Sequence, residues 1–406
     1  MRARVLVLLS IGLGLCEPAR AVIPIVETET VTFTFGGYAR AYSAWARPLD
    51  DGLRRSLSLP DSTGIGAAIL RTELKLGVED FFSLEIHNRL FQVVQSEPVV
   101  GASAGIGVST PPPRTLNLST DLVRTDQYLL NHDLDRLVMR FFLGPVDFSI
   151  GRQAVTWGVG QLFPVSDYWT SFSPFDLDTS QKRGVDSLRV SWGISDRLEL
   201  DAVVVDRGSW TDLSGGVRLV TYFDALDLHV AVSKAWEELI VTTSISATVD
   251  AFKLRVEIAG VYDLDDKDFQ LPRATVGVDW FATGQFTWSL EAHFSGLGAL
   301  EPRNYSVISR GDEIRRGELY LLGAAYTGTA LAYRPHELIT IGCTSLVNLL
   351  DPSAMVGWSI GWAFQQDIEL GLGGFHGIGR GSRDGRISAE FPLYGQQVYL
   401  QLSAFF

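Results

Sequence analysis

The sequence contains few cysteines, no excess of basic residues and no apolar segment long enough for a membrane helix. Its 406 residues include two cysteines, and their formal net charge is −13 at pH 7. An acidic balance of this size disfavours a general role in nucleic-acid binding. The apolar run Val5–Leu15 falls far short of the roughly 20 residues of a spanning helix, and no later run approaches that length. If this protein sits in a membrane, it must do so with strands.

The amino-terminal segment has the composition of an export signal. Residues 1–21, MRARVLVLLSIGLGLCEPARA, have a basic start, an apolar centre and small residues on both sides of Arg20. This three-part pattern is typical of a secretory signal peptide and predicts cleavage after Ala21. The mature chain 22–406 then keeps only Cys343, which excludes an intrachain disulfide. The fold must obtain its rigidity from another source.

Polar and apolar residues alternate with a period of two along the whole mature chain. In the last segment, 398–406, VYLQLSAFF, every second residue from Val398 is apolar, and most of the residues between are polar. Side chains of a strand point alternately to its two faces, so each such segment predicts a strand with one apolar and one polar face. Other segments of this kind begin near residues 70, 82, 137, 188, 198, 252, 286 and 356.

The predicted connections between these strands alternate in length. Eight short turns are predicted near 79–81, 144–145, 194–196, 224–226, 250–251, 283–284, 334–336 and 365–367. Nine other connections, including every long one, are predicted near 46–65, 96–133, 155–186, 207–214, 236–238, 264–271, 297–317, 348–353 and 377–395. Seventeen connections imply 18 strands, or 16 if the ambiguous segment 318–347 is misread. We therefore predict an all-β, transmembrane, antiparallel up-and-down β-barrel over residues 22–406, because outer-membrane barrels have short turns on one side and long loops on the other.

The last strand and a central region of the chain carry a resemblance to a known class of proteins. The terminal aromatic Phe406 on an alternating last strand resembles the carboxyl-terminal signature of Gram-negative outer-membrane barrels, and the blocks 151–164, 173–178 and 182–189 resemble the central part of porin-like barrels. The resemblance implies location in the cell outer membrane, contact with its lipid and lipopolysaccharide, and an assembly signal at Phe406 that the barrel assembly machinery reads. A homotrimer is one assembly that it allows.

Eighteen strands enclose an aqueous channel, and the polar faces predict what lines it. The predicted cations of the lumen are Arg71, Lys75, Arg89, Arg136, Arg140, Arg189, Arg218, Lys253 and Arg255. The connection 155–186 is predicted to fold inward, with Asp167, Asp176 and Asp178 facing these cations across a constriction, and this loop is predicted to set selectivity together with Arg136, Arg140 and Arg189. This arrangement predicts passive diffusion of small polar or anionic solutes. A simpler interpretation is that the lumen charges only pair with one another.

Two other functions stay open at this level: export of a polymer or hydrophobic compound, and a surface enzyme or adhesin on a plugged barrel. Evidence for catalysis is weak. Gly101–Gly105 matches a nucleophile-elbow pattern, but it lies in a Gly/Ser/Pro-rich stretch without the strand-to-helix turn that exposes such a serine. The six histidines include no pair four residues apart. We predict no catalytic residue, no metal site and no cofactor.

Overall fold

The computed structural model describes residues 22–47, 61–96, 113–170, 181–382 and 387–406. Its sheet has 21 strands, of which three are short extensions and 18 form a ring. The ring strands are β1 Val31–Arg47, β2 Thr63–Val78, β3 Phe82–Gln95, β4 Tyr128–Leu143, β5 Val146–Gln153, β6 Val185–Ser195, β7 Leu198–Val205, β8 Ser214–Tyr222, β9 Leu226–Ala235, β10 Glu238–Val249, β11 Phe252–Asp263, β12 Arg273–Thr283, β13 Phe286–Ser295, β14 Ala325–His336, β15 Ile339–Asn348, β16 Ser353–Gln365, β17 Ile368–Ile378 and β18 Gln396–Phe405.

Each ring strand pairs antiparallel with its neighbours in sequence, and the ring closes between β1 and β18. The closing register runs from Tyr38 opposite Phe405 to Arg47 opposite Gln396. Closure removes both free edges of the sheet, so every ring strand has a partner on each side. The predicted 18-stranded antiparallel barrel is confirmed, and the alternative of 16 strands is wrong.

Three short strands extend this ring. Val22–Glu27 pairs with the first residues of β1, beyond the end of β18. Ser119–Arg124 pairs with the outer half of β4, and Asp268–Phe269 with the end of β11. Short helices occur in the connections: 3₁₀ turns at Pro302–Asn304 and Phe391–Tyr394, α1 at Tyr305–Ile308 and α2 at Asp312–Arg316. In the described part of the chain, no helix is long and apolar enough to cross a bilayer.

The burial of alternate side chains follows the sequence pattern. On β18, Leu400 and Leu402 are 48% and 47% exposed, whereas Gln401 and Ser403 between them are 2% and 0% exposed. The exposed face of the barrel is therefore apolar, and the buried face carries the polar and charged side chains. This arrangement is inverted relative to a water-soluble barrel and is the one expected of strands that contact lipid.

The connections fall into two classes on opposite sides of the barrel, as predicted. One side has eight turns of two or three residues, from 79–81 to 366–367. The other side has nine connections, which include 154–184, 296–324 and 379–395. The connection after β13 is seven residues longer than its predicted end at 317, because residues 318–324 do not continue β14 but lie against Ala299 in a separate bridge.

One side chain departs from the two-faced pattern. Strict alternation along β5 places Arg152 on the exterior, yet it is 1% exposed. Its guanidinium donates to Asp186 on β6 at 2.7 and 2.9 Å, and to the carbonyl oxygens of Leu134 and Leu116 at 3.0 and 2.6 Å. The segment around Leu116 thus covers this charge. Gly151, the residue before it, has a φ of +120°, which a side chain would strain.

Candidate functional site

The connection after β5 lies against the polar face of the barrel. Residues 154–170, which we call the inner loop, contact side chains of β7, β9, β10, β11, β13 and β14. Side chains from so many strands can converge on one segment only from the concave interior of the barrel. The inner loop contains no helix or strand, so its backbone amides need other acceptors.

Glu257 on β11 supplies two of these acceptors. Its Oε1 accepts hydrogen bonds from the amides of Val159 and Gly160, the second at 3.2 Å. Its Oε2 accepts from the amides of Val165 and Ser166, the second at 3.3 Å. The carboxylate is 0% exposed, so both ends of this bend of the inner loop are fixed to one side chain on the wall.

Glu291 on β13 holds the residues between those two ends. Its Oε1 accepts from the amide of Gln161 at 2.7 Å, and its Oε2 accepts from those of Leu162 and Phe163 at 2.9 and 3.0 Å. Arg255 donates to the same carboxylate at 3.0 Å. This buried charge therefore has both a cationic partner and three amide donors, which offsets the cost of burying it.

Asp167, a predicted constriction carboxylate, is used inside the inner loop. It is 3% exposed and accepts from the amides of Trp157 and Gly158 at 2.7 and 2.8 Å, and it forms an ion pair with Lys182. The indole of Trp157 donates to Asp201 on β7 at 2.9 Å. Asp167 thus stabilises the turn of the loop, and its charge is already paired. The other two predicted carboxylates, Asp176 and Asp178, lie outside the described residues.

Aromatic packing fixes the inner loop at its middle and where its two ends meet. In the middle, the ring of Phe163 stacks on that of His293 with centroids 4.9 Å apart. Near the ends, the ring of Trp169 packs edge-to-face with those of Trp157 and Tyr168 at centroid distances of 5.5 and 4.7 Å. Both tryptophans are 2% exposed, so this part of the loop is a packed core rather than a solvated segment.

Two of the predicted arginines share one buried aspartate. Arg71 and Arg136 bond Asp135 at 2.8 and 3.4 Å, and Arg71 also contacts Glu73 at 3.3 Å. All four side chains are less than a tenth exposed. Arg89, on the neighbouring strand, lies 4.8 Å from the ring centre of a phenylalanine and is also buried. Arg71 and Arg136 thus form a fixed network in which each positive charge contacts a carboxylate, and Arg89 packs on an aromatic ring beside them.

The remaining predicted arginines are also paired. Arg140 contacts Glu85 at 2.8 Å. Arg189 and Arg218 both contact Asp201, at 2.7 and 3.0 Å. Arg255 bonds Asp279 as well as Glu291. For the arginines, the interpretation that lumen charges pair with one another therefore describes the contacts well.

The two predicted lysines differ from the arginines. Neither Lys75 nor Lys253 has an ion pair within the described ranges. Lys75 is exposed and lies across from Glu85, whose carboxylate contacts Arg140, and Lys253 is half-buried and lies across from Asp279. Their ammonium groups are therefore the predicted interior cations for which the described residues show no carboxylate contact.

A cavity lies between the inner loop, the barrel wall and the connection 296–324. The empty space between these parts, counted together with the solvent that reaches into it, is about 770 Å³. Its lining includes Phe163, Tyr168, Arg273, His293, Glu318 and Tyr320. Burial, followed by the negative charge of Glu238, raises the pKa of Glu318 to about 8. Within the described residues, no group of three or more potential ligands is placed to hold a metal ion.

The sequence alone did not identify the roles of Glu257 and Glu291. Both are interior residues by their strand phase, but nothing in their local sequence distinguishes them from other lumen carboxylates. The available signal was in the loop itself: the stretch 158–166, GVGQLFPVS, has no acidic side chain, so its amides require acceptors from elsewhere.

Comparisons with known proteins find likeness in structure but not in sequence. No family model matches the chain, and no curated protein matches it. Among solved structures, it is similar to OccD3 (OpdP) of Pseudomonas aeruginosa, with a TM-score of 0.52, 10% identity, and coverage of 96% of this chain and 94% of that one. It is similar to OpdK of the same organism, solved with vanillate, with a TM-score of 0.53, 10% identity, and coverage of 92% and 98%. OccAB4 of Acinetobacter baumannii gives a TM-score of 0.59, 9% identity, and coverage of 94% and 98%. The chain thus has the closed 18-stranded barrel fold of these proteins over almost its whole length.

Proposed function

We propose that the protein is a porin-like channel of the Gram-negative outer membrane that allows passive diffusion of small polar or anionic solutes. The observation that carries this proposal is the closed 18-stranded barrel with an apolar exterior, a charged interior and a loop packed across part of that interior. OpdK, which has this fold, is described as an outer membrane protein and was solved with vanillate bound. Among the described residues, no feature favours the exporter or the surface enzyme or adhesin.

The exterior supports a membrane location. Large apolar side chains cover the exposed face of the strands, and aromatic residues gather beside the short turns. These exposed aromatics are Phe81, Trp192, Phe223, Phe252, Trp280, Phe281, Tyr333, Trp362 and Phe364. Aromatic girdles of this kind lie at the interface between lipid and water. We therefore propose that the short-turn side faces the periplasm. The side with the long connections then faces the cell exterior, where it contacts lipopolysaccharide.

We propose that the nine predicted cations of the channel have two different roles. The seven arginines mainly stabilise the interior, since six of them form ion pairs and Arg89 packs on an aromatic ring, and they add a background positive potential. Lys75 and Lys253 set the ion preference, because their ammonium groups have no ion pair among the described residues. Unpaired charges in a narrow aqueous pore act on permeating ions more strongly than paired ones.

Reversal potentials in planar bilayers under a KCl gradient test this proposal. The double substitution Lys75→Gln/Lys253→Gln should lower the chloride-to-potassium permeability ratio by about twofold, whereas Lys267→Gln, in the exposed connection after β11, should leave it unchanged. An unchanged ratio in the double variant would show that the two lysines do not set the ion preference. A protein that folds but does not conduct would contradict the proposal that it is a channel.

A further inference from the structure

We infer that Glu257 and Glu291 are positioning residues that set where the inner loop lies in the channel, and hence how wide the passage is. This inference rests on the proposed channel function and specifies which residues control its constriction. The two carboxylates do not need to touch a solute. They act through the loop backbone that they hold.

Carboxylates accept every amide hydrogen bond of the loop's central stretch. From Trp157 to Ser166 there are nine backbone N–H groups, since Pro164 has none. Two donate to Asp167, four to Glu257 and three to Glu291. An amide buried without an acceptor is costly, so the loop has one well-satisfied position in the barrel. Seven of the nine acceptor contacts come from the wall.

The charge of Glu257 makes it the more sensitive of the two anchors. Glu291 is held by Arg255, but Glu257 has no cationic partner within 4 Å in the described part of the chain. Its negative charge is balanced by the four amide dipoles that point at it. A glutamine at this position has one acceptor oxygen and one NH₂ group, so one pair of loop amides would face a donor. Glu257→Gln therefore removes half of the attachment while keeping the size of the side chain.

Thiol labelling of the folded protein tests the attachment directly. The probe is Gln161→Cys in a Cys343→Ser background, reacted with a cationic methanethiosulfonate reagent in detergent solution. Residue 161 sits at the middle of the anchored stretch. Glu257→Gln or Glu291→Gln should raise the rate of modification by about tenfold, since each removes charge-assisted hydrogen bonds that hold the probe in place. Glu85→Gln, an interior carboxylate bound to Arg140, is the matched control and should leave the rate unchanged.

A second readout separates positioning from general stability. In planar bilayers the same two variants should show a changed unitary conductance and more open-channel noise than Glu85→Gln, while their heat-modifiable migration on gels, which reports the closed barrel, stays intact. Labelling does not require conduction, so a non-conducting protein with an anchored loop would overturn the proposed function and not this inference. Unchanged labelling in both variants would overturn the inference. Failure of both variants to form a barrel would also overturn it, because the carboxylates would then serve the barrel rather than the loop.

Discussion

Replacing Glu390 with glutamine should remove most of the pH dependence of a buried hydrogen-bond network on the long-connection side. Glu390 is 0% exposed and lies in the connection 379–395. Its Oε1 accepts from the amide of Leu322 at 2.7 Å, and its Oε2 accepts from Asn348 at 2.9 Å and from the hydroxyl of Tyr326. Its own amide donates to Asp351 at 2.8 Å. One carboxyl group thus ties the connections 296–324 and 379–395 to the barrel wall.

Burial raises the pKa of Glu390 from 4.5 to about 7, and the charge of Asp351 acts in the same direction. The folded network therefore binds a proton more tightly than the opened one, so its stability is greatest below pH 4.5 and falls as the pH rises to about 7. Proton linkage with these two pKa values gives a loss on the order of 2–3 kcal/mol between pH 5 and pH 8. In Glu390→Gln this pH-dependent loss of stability is absent, because a glutamine does not titrate.

Hydrogen exchange followed by mass spectrometry measures the effect on the peptide that contains Leu322. After correction for the intrinsic rate at each pH, protection of its amide should fall by roughly one to two orders of magnitude from pH 5 to pH 8 in the native protein. Glu390→Gln should show nearly equal protection at both values. A native protein whose corrected protection does not change, or a variant that keeps the full change, would refute the assignment of this pH dependence to Glu390.

Three further substitutions have defined outcomes. Gly151→Ala should destabilise the barrel by more than about 2 kcal/mol in urea titrations, because the residue has a φ of +120° and a Cβ there would lie 2.1 Å from a carbonyl oxygen of the neighbouring strand. Its control is Gly260→Ala, where no atom lies within 4 Å of the added carbon. Phe406→Ser should reduce the amount of protein assembled in the outer membrane on cell fractionation, whereas Phe364→Ser, at an exposed aromatic near the same rim, should not. Arg316→Met should lower the local stability of the connection 296–324 by about 1–2 kcal/mol and so make it more sensitive to protease. The reason is that the Arg316 guanidinium lies 4.4 Å from the ring centre of the buried Trp236 and pairs with Glu237 at 2.7 Å.

For each of these three predictions, one result would contradict it. Equal urea midpoints for Gly151→Ala and Gly260→Ala would show that the backbone at Gly151 is not constrained. Equal assembly of the Phe406 and Phe364 variants would show that the terminal aromatic is not a recognition signal. Unchanged protease sensitivity of Arg316→Met would show that this arginine does not hold its connection in place.

The barrel was predictable from the sequence because its two main signals are local. The two-residue period on β18 follows from strand geometry and needs no knowledge of neighbouring strands. Turn lengths are local as well, and the 17 connections predicted from them match those of the structure in number and in side. Two boundaries were less accurate: the turn predicted at 334–336 lies at 337–338, and residues 318–324, which are mostly apolar, pack in a connection instead of continuing the next strand.

The contacts of the interior were not predictable in the same way. Whether a lumen arginine is paired depends on which carboxylate lies across from it, and that is set by the exact register of adjacent strands, which the alternating pattern of each strand does not specify. Arg189 and Arg218 meet at Asp201, on the strand between theirs, only because of this register. The attachment of the inner loop to Glu257 and Glu291 spans 91 to 130 residues of sequence and has no local signature. The burial of Arg152 could not be predicted either, since the segment that covers this side chain comes from another connection.

The central claim is that this closed barrel encloses a water-filled passage across the outer membrane. Single-channel recording of the purified, detergent-folded protein in a planar lipid bilayer tests it most directly. We expect discrete, stepwise increases in current on insertion, with a conductance that scales with salt concentration and a reversal potential that favours anions. Insertion of a folded barrel without any step in current would contradict the account.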